Sequence, residues 1–275
     1  MADRITTVLI IGATSGIGEA FARRFHAAGK QVIITGRRAE RLQQLSQELP
    51  GLDTRAWDIT DSATLSTHVA DILASHPTLD TVFVNAGIQR SFSMLDSSIS
   101  TPESITSEIQ ANLTAPILIS RAFLPHLLAR ASAGHPANLL ITSSSIGYFP
   151  LPFYPVYCAT KAAIHAFLVS LRAQVGFAAP DIQRNLSVVE VVPPYTDTGL
   201  DAAHRARIMA MQGGPDKAFA PMPLDEYIDA ALPRILTPGP DGKLPKEVGV
   251  GFGQVGVDAW RGAFGPGLEG MGLNC

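Results

Sequence analysis

A glycine-rich turn near the start of the chain decides the fold. Residues 6–25 read TTVLIIGATSGIGEAFARRF. Residues 6–11 form a short run of mostly apolar or β-branched residues, as in a buried strand. Residues 19–25 have apolar residues at the spacing of an amphipathic helix. Gly12, Gly16 and Gly18 between them let the backbone turn tightly. A strand, a glycine turn and a helix in this order are typical of sites that hold a dinucleotide pyrophosphate against a helix N-terminus.

Strands and helices alternate along the chain as far as residue 192. Further strands are predicted at residues 31–35, 54–57, 81–84, 138–142 and 186–192, after the first at 6–11. Helical patterns fill the intervals at residues 16–28, 39–48, 62–75, 101–130 and 154–176. This alternation predicts right-handed βαβ units and an α/β fold with a doubly wound, Rossmann-type parallel sheet.

The pattern changes after residue 192. Residues 193–223 are rich in proline and glycine around one short helical segment at 204–211, and they read as a long ordered excursion. Such a loop is either a lid over a binding site or a plain surface insertion, and the sequence favours neither. The glycine-rich tail from residue 238 has one strand candidate, at 247–250. No linker is visible, so residues 1–275 are predicted to form a single domain with a substrate lid.

Composition excludes several classes of protein. Hydrophobic residues make up 46% of the 275 residues and charged residues 16%, which is enough apolar surface for a sizeable core. Cys158 and Cys275 are the two cysteines, so we expect neither a disulfide framework nor a metal site. A net charge of −3 argues against a nucleic-acid partner. Without a signal peptide or a long apolar run, the protein is predicted to be cytoplasmic and not membrane-bound.

The end of the second predicted strand indicates which dinucleotide is bound. An NAD site commonly places a carboxylate there to accept hydrogen bonds from the ribose. This chain has Arg37 and Arg38 instead, and guanidinium groups suit a 2′-phosphate. The alternative is a solvated basic helix start, but cations at a helix N-terminus oppose its dipole. The sequence therefore favours NADP(H) over NAD(H).

A tyrosine and a lysine four residues apart predict a proton-transfer site. Tyr157 and Lys161 share one face of a predicted helix. A phenol has an ordinary pKa of about 10, and a nearby ammonium favours phenolate and lowers that pKa. Lowering it to about 7 requires roughly 4 kcal/mol, much of which one cation in a partly desolvated site can supply. A serine cluster, residues 143–145, ends the fifth strand upstream.

These motifs together resemble the short-chain dehydrogenase/reductase family. The family's loop reads TGxxxGxG, and Ile11 stands here in place of its threonine. The resemblance implies catalytic roles for Asn112, Ser144, Tyr157 and Lys161; Ser144 lies thirteen residues before Tyr157, at the family's spacing. It also implies cofactor contacts, in addition to Arg37 and Arg38, from Gly12, Ser15, Ile17, Gly18, Asp58, Asn85, Ala86, Gly87, Tyr157, Lys161 and Thr198.

The resemblance implies a carbonyl reductase or alcohol dehydrogenase mechanism. The nicotinamide passes a hydride to a carbonyl carbon, Ser144 polarises the oxygen and Tyr157 donates the proton. Lys161 keeps the tyrosine acidic and holds the nicotinamide ribose, and Asn112 holds a water that connects Lys161 to solvent. Pro194 departs from the family's Pro-Gly pattern; it fixes φ and removes an N–H, which leaves the assignment of Thr198 open.

The sequence also suggests a substrate class and an assembly. Apolar residues near the site favour an apolar or aromatic ketone or aldehyde, although the same residues would also suit an ordinary core: Phe149, Leu151, Phe153, Tyr154, Met209, Met211 and Phe219. The helix at 154–176 is apolar around much of its circumference, which predicts a homodimer or homotetramer. The alternatives are an NADP(H)-binding regulatory protein without turnover and, less well supported, a serine hydrolase, whose GxSxG elbow the chain lacks.

Overall fold

Seven parallel strands form the central sheet of the computed structural model, which describes residues 3–273 and 275. The strand order is β3-β2-β1-β4-β5-β6-β7, so the direction of winding reverses between β1 and β4. The strands are β1 (Thr7–Ile11), β2 (Gln31–Gly36), β3 (Asp53–Ala56), β4 (Thr81–Val84), β5 (Ala137–Thr142), β6 (Leu186–Val192) and β7 (Glu247–Gly249). The predicted Rossmann-type α/β fold is confirmed.

Helices cover both faces of this sheet. They are α1 (Gly16–Ala27), α2 (Ala39–Glu48), α3 (Leu65–Ser75), α4 (Pro102–Ile109), α5 (Ala115–Ser132), α6 (Ser145–Tyr148), α7 (Pro155–Gly176), α8 (Pro180–Asn185), α9 (Arg205–Met211), α10 (Leu224–Leu236) and α11 (Phe252–Gly270). One side of the core packs Ile10 and Phe83 of the sheet against Phe21 of α1 and Tyr227 of α10. The other side packs Leu9 and Ile141 against α3, α5 and α7. Burial on both faces explains why the strands are continuously apolar.

The single helix predicted at residues 101–130 is divided in the structure into three helical segments. Between α4 and α5 lies one π-helical turn, Gln110–Thr114, in which the N–H of Ala115 donates to the carbonyl of Gln110. Pro116 in the first turn of α5 explains the break, because a proline has no N–H to donate to the carbonyl four residues earlier. The backbone takes the wider turn instead. This turn contains Asn112.

The glycine-rich tail differs most from the sequence prediction. The strand predicted at 247–250 is present as β7, but the 19-residue helix α11 that follows it was not predicted. Three helices before the tail, α6, α8 and α10, were not predicted either. Although glycine disfavours helix, two of the glycines in α11 lie where no larger residue would fit. A methyl group at Gly253 would lie 2.1 Å from the Val192 carbonyl oxygen, and one at Gly256 would lie 2.9 Å from Tyr148 Cβ. Glycine lets α11 lie directly against β6 and α6.

No helix in the described part of the chain is both long and apolar enough to cross a membrane.

A matched pair of glycine substitutions tests this packing of α11. Gly253→Ala is expected to lower the free energy of unfolding by about 2–3 kcal/mol, because the new methyl group overlaps the β6 backbone. Gly262→Ala, in the same helix with open space around it, is expected to raise that free energy by up to about 1 kcal/mol, since alanine favours helix. Urea unfolding monitored by circular dichroism measures both. Equal effects of the two substitutions would contradict the close packing of α11.

Candidate active site

A cavity of about 1310 Å³ opens along the carboxyl edge of the sheet, at the point between β1 and β4 where the winding reverses. Ligands of open α/β sheets bind at such a point. Most of the residues selected from the sequence line this cavity: Gly12, Ser15, Ile17, Arg37, Arg38, Asp58, Asn85, Ala86, Gly87, Ser144, Tyr157, Lys161 and Thr198. Gly18 and Asn112 do not line it and lie behind its wall.

The glycine loop packs tightly against the turn that follows β4. Gly12 has φ +87°, and a methyl group there would lie 2.4 Å from Ala86 Cα. A methyl group at Gly18 would lie 2.2 Å from the Gly12 carbonyl oxygen. Any side chain at these two positions would push the loop apart. The loop leaves the start of α1 facing the cavity, and this cradle fits the pyrophosphate of a nicotinamide dinucleotide.

Two arginines lie at the far end of the cradle. The Arg38 Nη2 atom donates to Thr14 Oγ1 at 2.8 Å and to Ser15 Oγ at 2.7 Å, so this guanidinium is fixed against the glycine loop. Arg37 is exposed. Burial raises the pKa of the nearby Asp58 carboxyl, but hydrogen bonds from Thr60 and the charge of Arg37 outweigh burial, and the pKa is lower than usual. This end of the cavity is therefore cationic around one ionised carboxylate.

Asn85 joins the ends of three strands behind the loop. Its Nδ2 donates to the Gly12 carbonyl at 3.0 Å, and its Oδ1 accepts from Thr142 Oγ1 at 2.9 Å. Its backbone N–H donates to the carbonyl of Ile11. The carbonyl of Thr142 in turn accepts from Lys161 Nζ at 2.9 Å. The dinucleotide cradle and the lysine are thus held by one connected set of strand ends.

Lys161, Tyr157 and Ser144 come together at the middle of the cavity. Lys161 is 3% exposed and Tyr157 is 7% exposed, and Lys161 Nζ lies 5.5 Å from the centre of the Tyr157 ring. That distance is within cation–π range. Ser144 caps α6, and its hydroxyl lowers the pKa of the Tyr157 phenol, so the two hydroxyl groups face the same part of the cavity. Ser143 points away from this group, because its Oγ donates to Glu190 Oε1 at 2.5 Å.

The electrostatics of the pair differ from the sequence expectation. The sequence predicts that Lys161 lowers the pKa of Tyr157. In the structure, burial raises that pKa well above its ordinary value, the Ser144 hydrogen bond lowers it in part, and the charge of Glu108 raises it further. Burial also lowers the pKa of Lys161 to about 8, against the charges of Glu108 and Glu190. Loss of water therefore has the largest effect on the pKa of Tyr157, and the phenol stays protonated at neutral pH.

Asn112 ties the π-helical turn to the segment after β4. Its Oδ1 accepts from the Ile88 N–H at 2.8 Å, and its Nδ2 donates to the Ile88 carbonyl at 2.7 Å. A methyl group at Gly87 would lie 3.2 Å from Asn112 Oδ1 and 3.7 Å from Lys161 Nζ, so all three groups are neighbours. Both polar atoms of this buried amide contact Ile88, and Asn112 fixes the wall of the cavity beside Lys161.

Residues 193–223 close the other end of the cavity. Ile208 of α9 packs among Tyr154, Tyr157 and Cys158, and Arg207 Nη2 donates to the Ser91 carbonyl at 3.0 Å on the opposite side. Thr198 lies against the glycine loop, since a methyl group at Gly16 would be 3.0 Å from its Cβ. Of the apolar residues selected from the sequence, five line this end: Phe149, Leu151, Tyr154, Met209 and Phe219. Phe153 and Met211 do not line it.

Sequence reasoning missed three residues of the site. Thr14 and Thr142 carry hydrogen bonds of the cradle, but nothing in a sequence shows which carbonyl or hydroxyl a distant side chain will contact. Glu108 left a usable signal, because it lies one helical turn before Asn112 and therefore on the same face. Within residues 3–273 and 275, no three histidine, cysteine, aspartate or glutamate residues are grouped so that they could hold a metal ion.

Comparisons with known proteins agree with this geometry. The family model described as short chain dehydrogenase matches residues 6–208. An uncharacterized oxidoreductase of Bacillus subtilis, DltE, is 36% identical over 201 residues, which cover 72% of this chain and 75% of that protein. Dehydrogenase/reductase SDR family member 7B of Bos taurus is 34% identical over 207 residues, and the match covers 72% of this chain but only 60% of the cattle protein.

A solved structure shares the architecture. The closed form of a serine dehydrogenase complexed with NADP+ has 26% sequence identity and a TM-score of 0.73, over 88% of this chain and 93% of that chain.

Removal of the Asn112 amide tests its contacts with Ile88. Asn112→Ala leaves a backbone N–H and a carbonyl in the cavity wall without their partner, and we expect unfolding free energy to fall by about 1–3 kcal/mol. Amide hydrogen exchange at Ile88 is expected to accelerate at least about tenfold. Gln110→Ala is the control, because Gln110 lies in the same turn with one long hydrogen bond, 3.4 Å to Thr60. Unchanged exchange at Ile88 in Asn112→Ala would contradict the assignment.

Proposed function

Because the chain belongs to the short-chain dehydrogenase/reductase family of oxidoreductases, we propose that it transfers a hydride between NADP(H) and a carbonyl or alcohol substrate. The observation that carries the proposal is the convergence of Ser144, Tyr157 and Lys161 on one cavity that also holds the glycine cradle. A regulatory protein that binds NADP(H) without turnover would need the cradle alone. We therefore favour the enzyme over that alternative.

Each polar side chain has one role in the proposed reaction. The nicotinamide, when bound, supplies or accepts the hydride. In the reducing direction Ser144 Oγ donates a hydrogen bond to the substrate carbonyl oxygen, and Tyr157 gives that oxygen its phenolic proton. The proton that Tyr157 loses is replaced from the Lys161 ammonium, which regains one from solvent. Oxidation of an alcohol follows the same path in reverse.

Burial suits these roles. The raised pKa of Tyr157 means that the phenol is protonated at neutral pH but is a weaker acid than a free tyrosine unless a positive charge stabilises the phenolate. As its proton leaves, the negative charge develops beside the Lys161 ammonium in a site from which water is largely excluded, where the attraction is strong. A lysine pKa of about 8 means that the amine itself exchanges protons near neutrality.

The two arginines support NADP(H) as the cofactor. Arg38 is oriented by Thr14 and Ser15 of the loop, and Arg37 lies exposed at the same end of the cavity. Together they offer charge-assisted hydrogen bonds to a ribose 2′-phosphate. The serine dehydrogenase described above was solved with NADP+, which is consistent with this choice.

We propose that residues 193–223 are the substrate lid of a single domain spanning residues 1–275. Support comes from Ile208, which packs on Tyr154, and from Arg207, which reaches across to Ser91. The apolar lining at this end favours an apolar or aromatic ketone or aldehyde. The partly exposed apolar face of α7 supports pairing with a second copy, as a homodimer or homotetramer. A cytoplasmic location stays a prediction from the sequence.

Replacement of the proposed acid is the direct test of function. Wild-type protein is expected to oxidise NADPH in the presence of aromatic and aliphatic carbonyl compounds, monitored by loss of nicotinamide absorbance. Tyr157→Phe removes one hydroxyl and is expected to lower kcat by about 10³-fold while NADPH binding, measured by fluorescence, persists. A variant as fast as the wild type would contradict the role of Tyr157, and binding without turnover by the wild type would favour the regulatory alternative.

Cofactor preference has a separate test. Arg37→Ala and Arg38→Ala are each expected to weaken NADPH binding about tenfold or more and to change NADH binding little, because only the former cofactor carries the 2′-phosphate. Dissociation constants for both cofactors, measured by fluorescence titration, give the ratio. Arg24→Ala is the control, since Arg24 pairs with Asp225 and Asp229 and does not line the cavity. If the ratio of the NADPH and NADH dissociation constants keeps its wild-type value in both Arg37→Ala and Arg38→Ala, these arginines do not select NADP(H).

A further inference from the structure

A fully buried carboxyl group lies behind the proton-transfer site. Glu108 in α4 is 0% exposed and sits one helical turn before Asn112. Its Oε1 accepts a hydrogen bond from the backbone N–H of Arg90 at 3.3 Å. Its Oε2 is buried and has no hydrogen-bond partner in the described part of the chain. An ionised carboxylate would be costly in such a place, and a carboxyl oxygen without a partner needs an explanation.

Charged and titratable groups face Glu108 from each neighbouring element. The Arg90 guanidinium approaches from the segment after β4. The charge of Glu108 acts on three titratable groups of α7, which are Lys161, Tyr157 and Cys158. α7 packs against α4 and also against the π-helical turn, so the three elements hold these groups at fixed separations.

We propose that Glu108 is a third proton-exchanging residue of the active site and that its charge controls how tightly Lys161 and Tyr157 hold their protons. Glu108 does not line the cavity and acts only through Lys161 and Tyr157, so it is a positioning residue. The inference rests on the proposed function, which it deepens by naming the group that regulates proton transfer at the same site.

The direction of the effect follows from the charges. Burial raises the pKa of Glu108 to about 7, although the Arg90 N–H and the charges of Arg90 and Lys161 oppose the rise. Below that pH Glu108 is neutral. Above it the carboxylate raises the pKa values of both Lys161 and Tyr157, so both keep their protons to higher pH. As the pH rises, Glu108 therefore keeps Lys161 and Tyr157 in the protonated form that carbonyl reduction requires.

The same carboxyl group contributes to the shape of the cavity. Glu108 holds the Arg90 N–H and Asn112 holds Ile88, so the segment 88–90 is fixed at two points from one helical face. Arg90 and Ile88 both line the cavity. Ionisation strengthens the hydrogen bond from Arg90, because a charged acceptor binds an N–H more strongly than a neutral one.

Glu108→Gln separates charge from shape. Glutamine has nearly the same size and keeps an acceptor oxygen for the Arg90 N–H, but it carries no charge. In pH profiles of kcat/KM for carbonyl reduction, the alkaline limb of the variant is expected to move to lower pH by about one unit. The acidic limb of alcohol oxidation is expected to move in the same direction. Glu103→Gln, the same change at an exposed position of α4, is expected to leave both profiles unchanged.

A second measurement does not depend on turnover. In wild-type protein with ¹³C-labelled glutamate carboxyl groups, NMR titration is expected to show one glutamate with a midpoint near 7, well above the ordinary glutamate pKa of about 4.3. This signal is expected to be absent from Glu108→Gln. No glutamate titrating above pH 6, or an alkaline limb that does not move in Glu108→Gln, would overturn the inference. A wild type that titrates as expected but reduces no carbonyl would instead refute the proposed function.

Discussion

Burial of the Lys161 ammonium is the constraint on which the rest of the site depends. A lysine that is 3% exposed has lost nearly all of its water, and a buried ammonium is unstable unless polar groups replace that water. The Thr142 carbonyl accepts a hydrogen bond from the Lys161 ammonium, and the Tyr157 ring lies within cation–π range of it. The negative charges of Glu108 and Glu190 also act on the ammonium. Even so, the pKa of Lys161 falls to about 8. The site holds an amine whose proton is weakly bound.

The strand ends supply these partners at fixed positions. Thr142 ends β5, and its hydroxyl donates to Asn85 at the end of β4, whose amide donates to Gly12 at the end of β1. The same hydrogen-bonded series thus fixes the lysine and the glycine cradle. A nicotinamide dinucleotide held at the cradle would lie along the cavity that Lys161 and Tyr157 line. The proposed proton transfer and hydride transfer would therefore share one edge of the sheet.

The sequence predicted the features that local pattern determines. The strands and the first helices follow from apolar periodicity, and the glycine turn follows from its spacing between a strand and a helix. Three features depend on contacts that no local pattern contains. α11 is a helix although it is rich in glycine, because Gly253 and Gly256 allow close packing on β6 and α6. Pro116 opens the π-helical turn, and burial raises the pKa of Tyr157 above its ordinary value.

The proton affinity of Lys161 tests most directly whether burial weakens the binding of its proton. NMR titration of ¹⁵N-labelled lysine side chains, with Lys161 assigned by its absence from Lys161→Met, reads that affinity without any substrate. We expect a midpoint near 8, because burial removes water from the ammonium and lowers its pKa. A midpoint at or above about 10.4, the ordinary value for lysine, would contradict it, because the amine would then be as well hydrated as one on the surface.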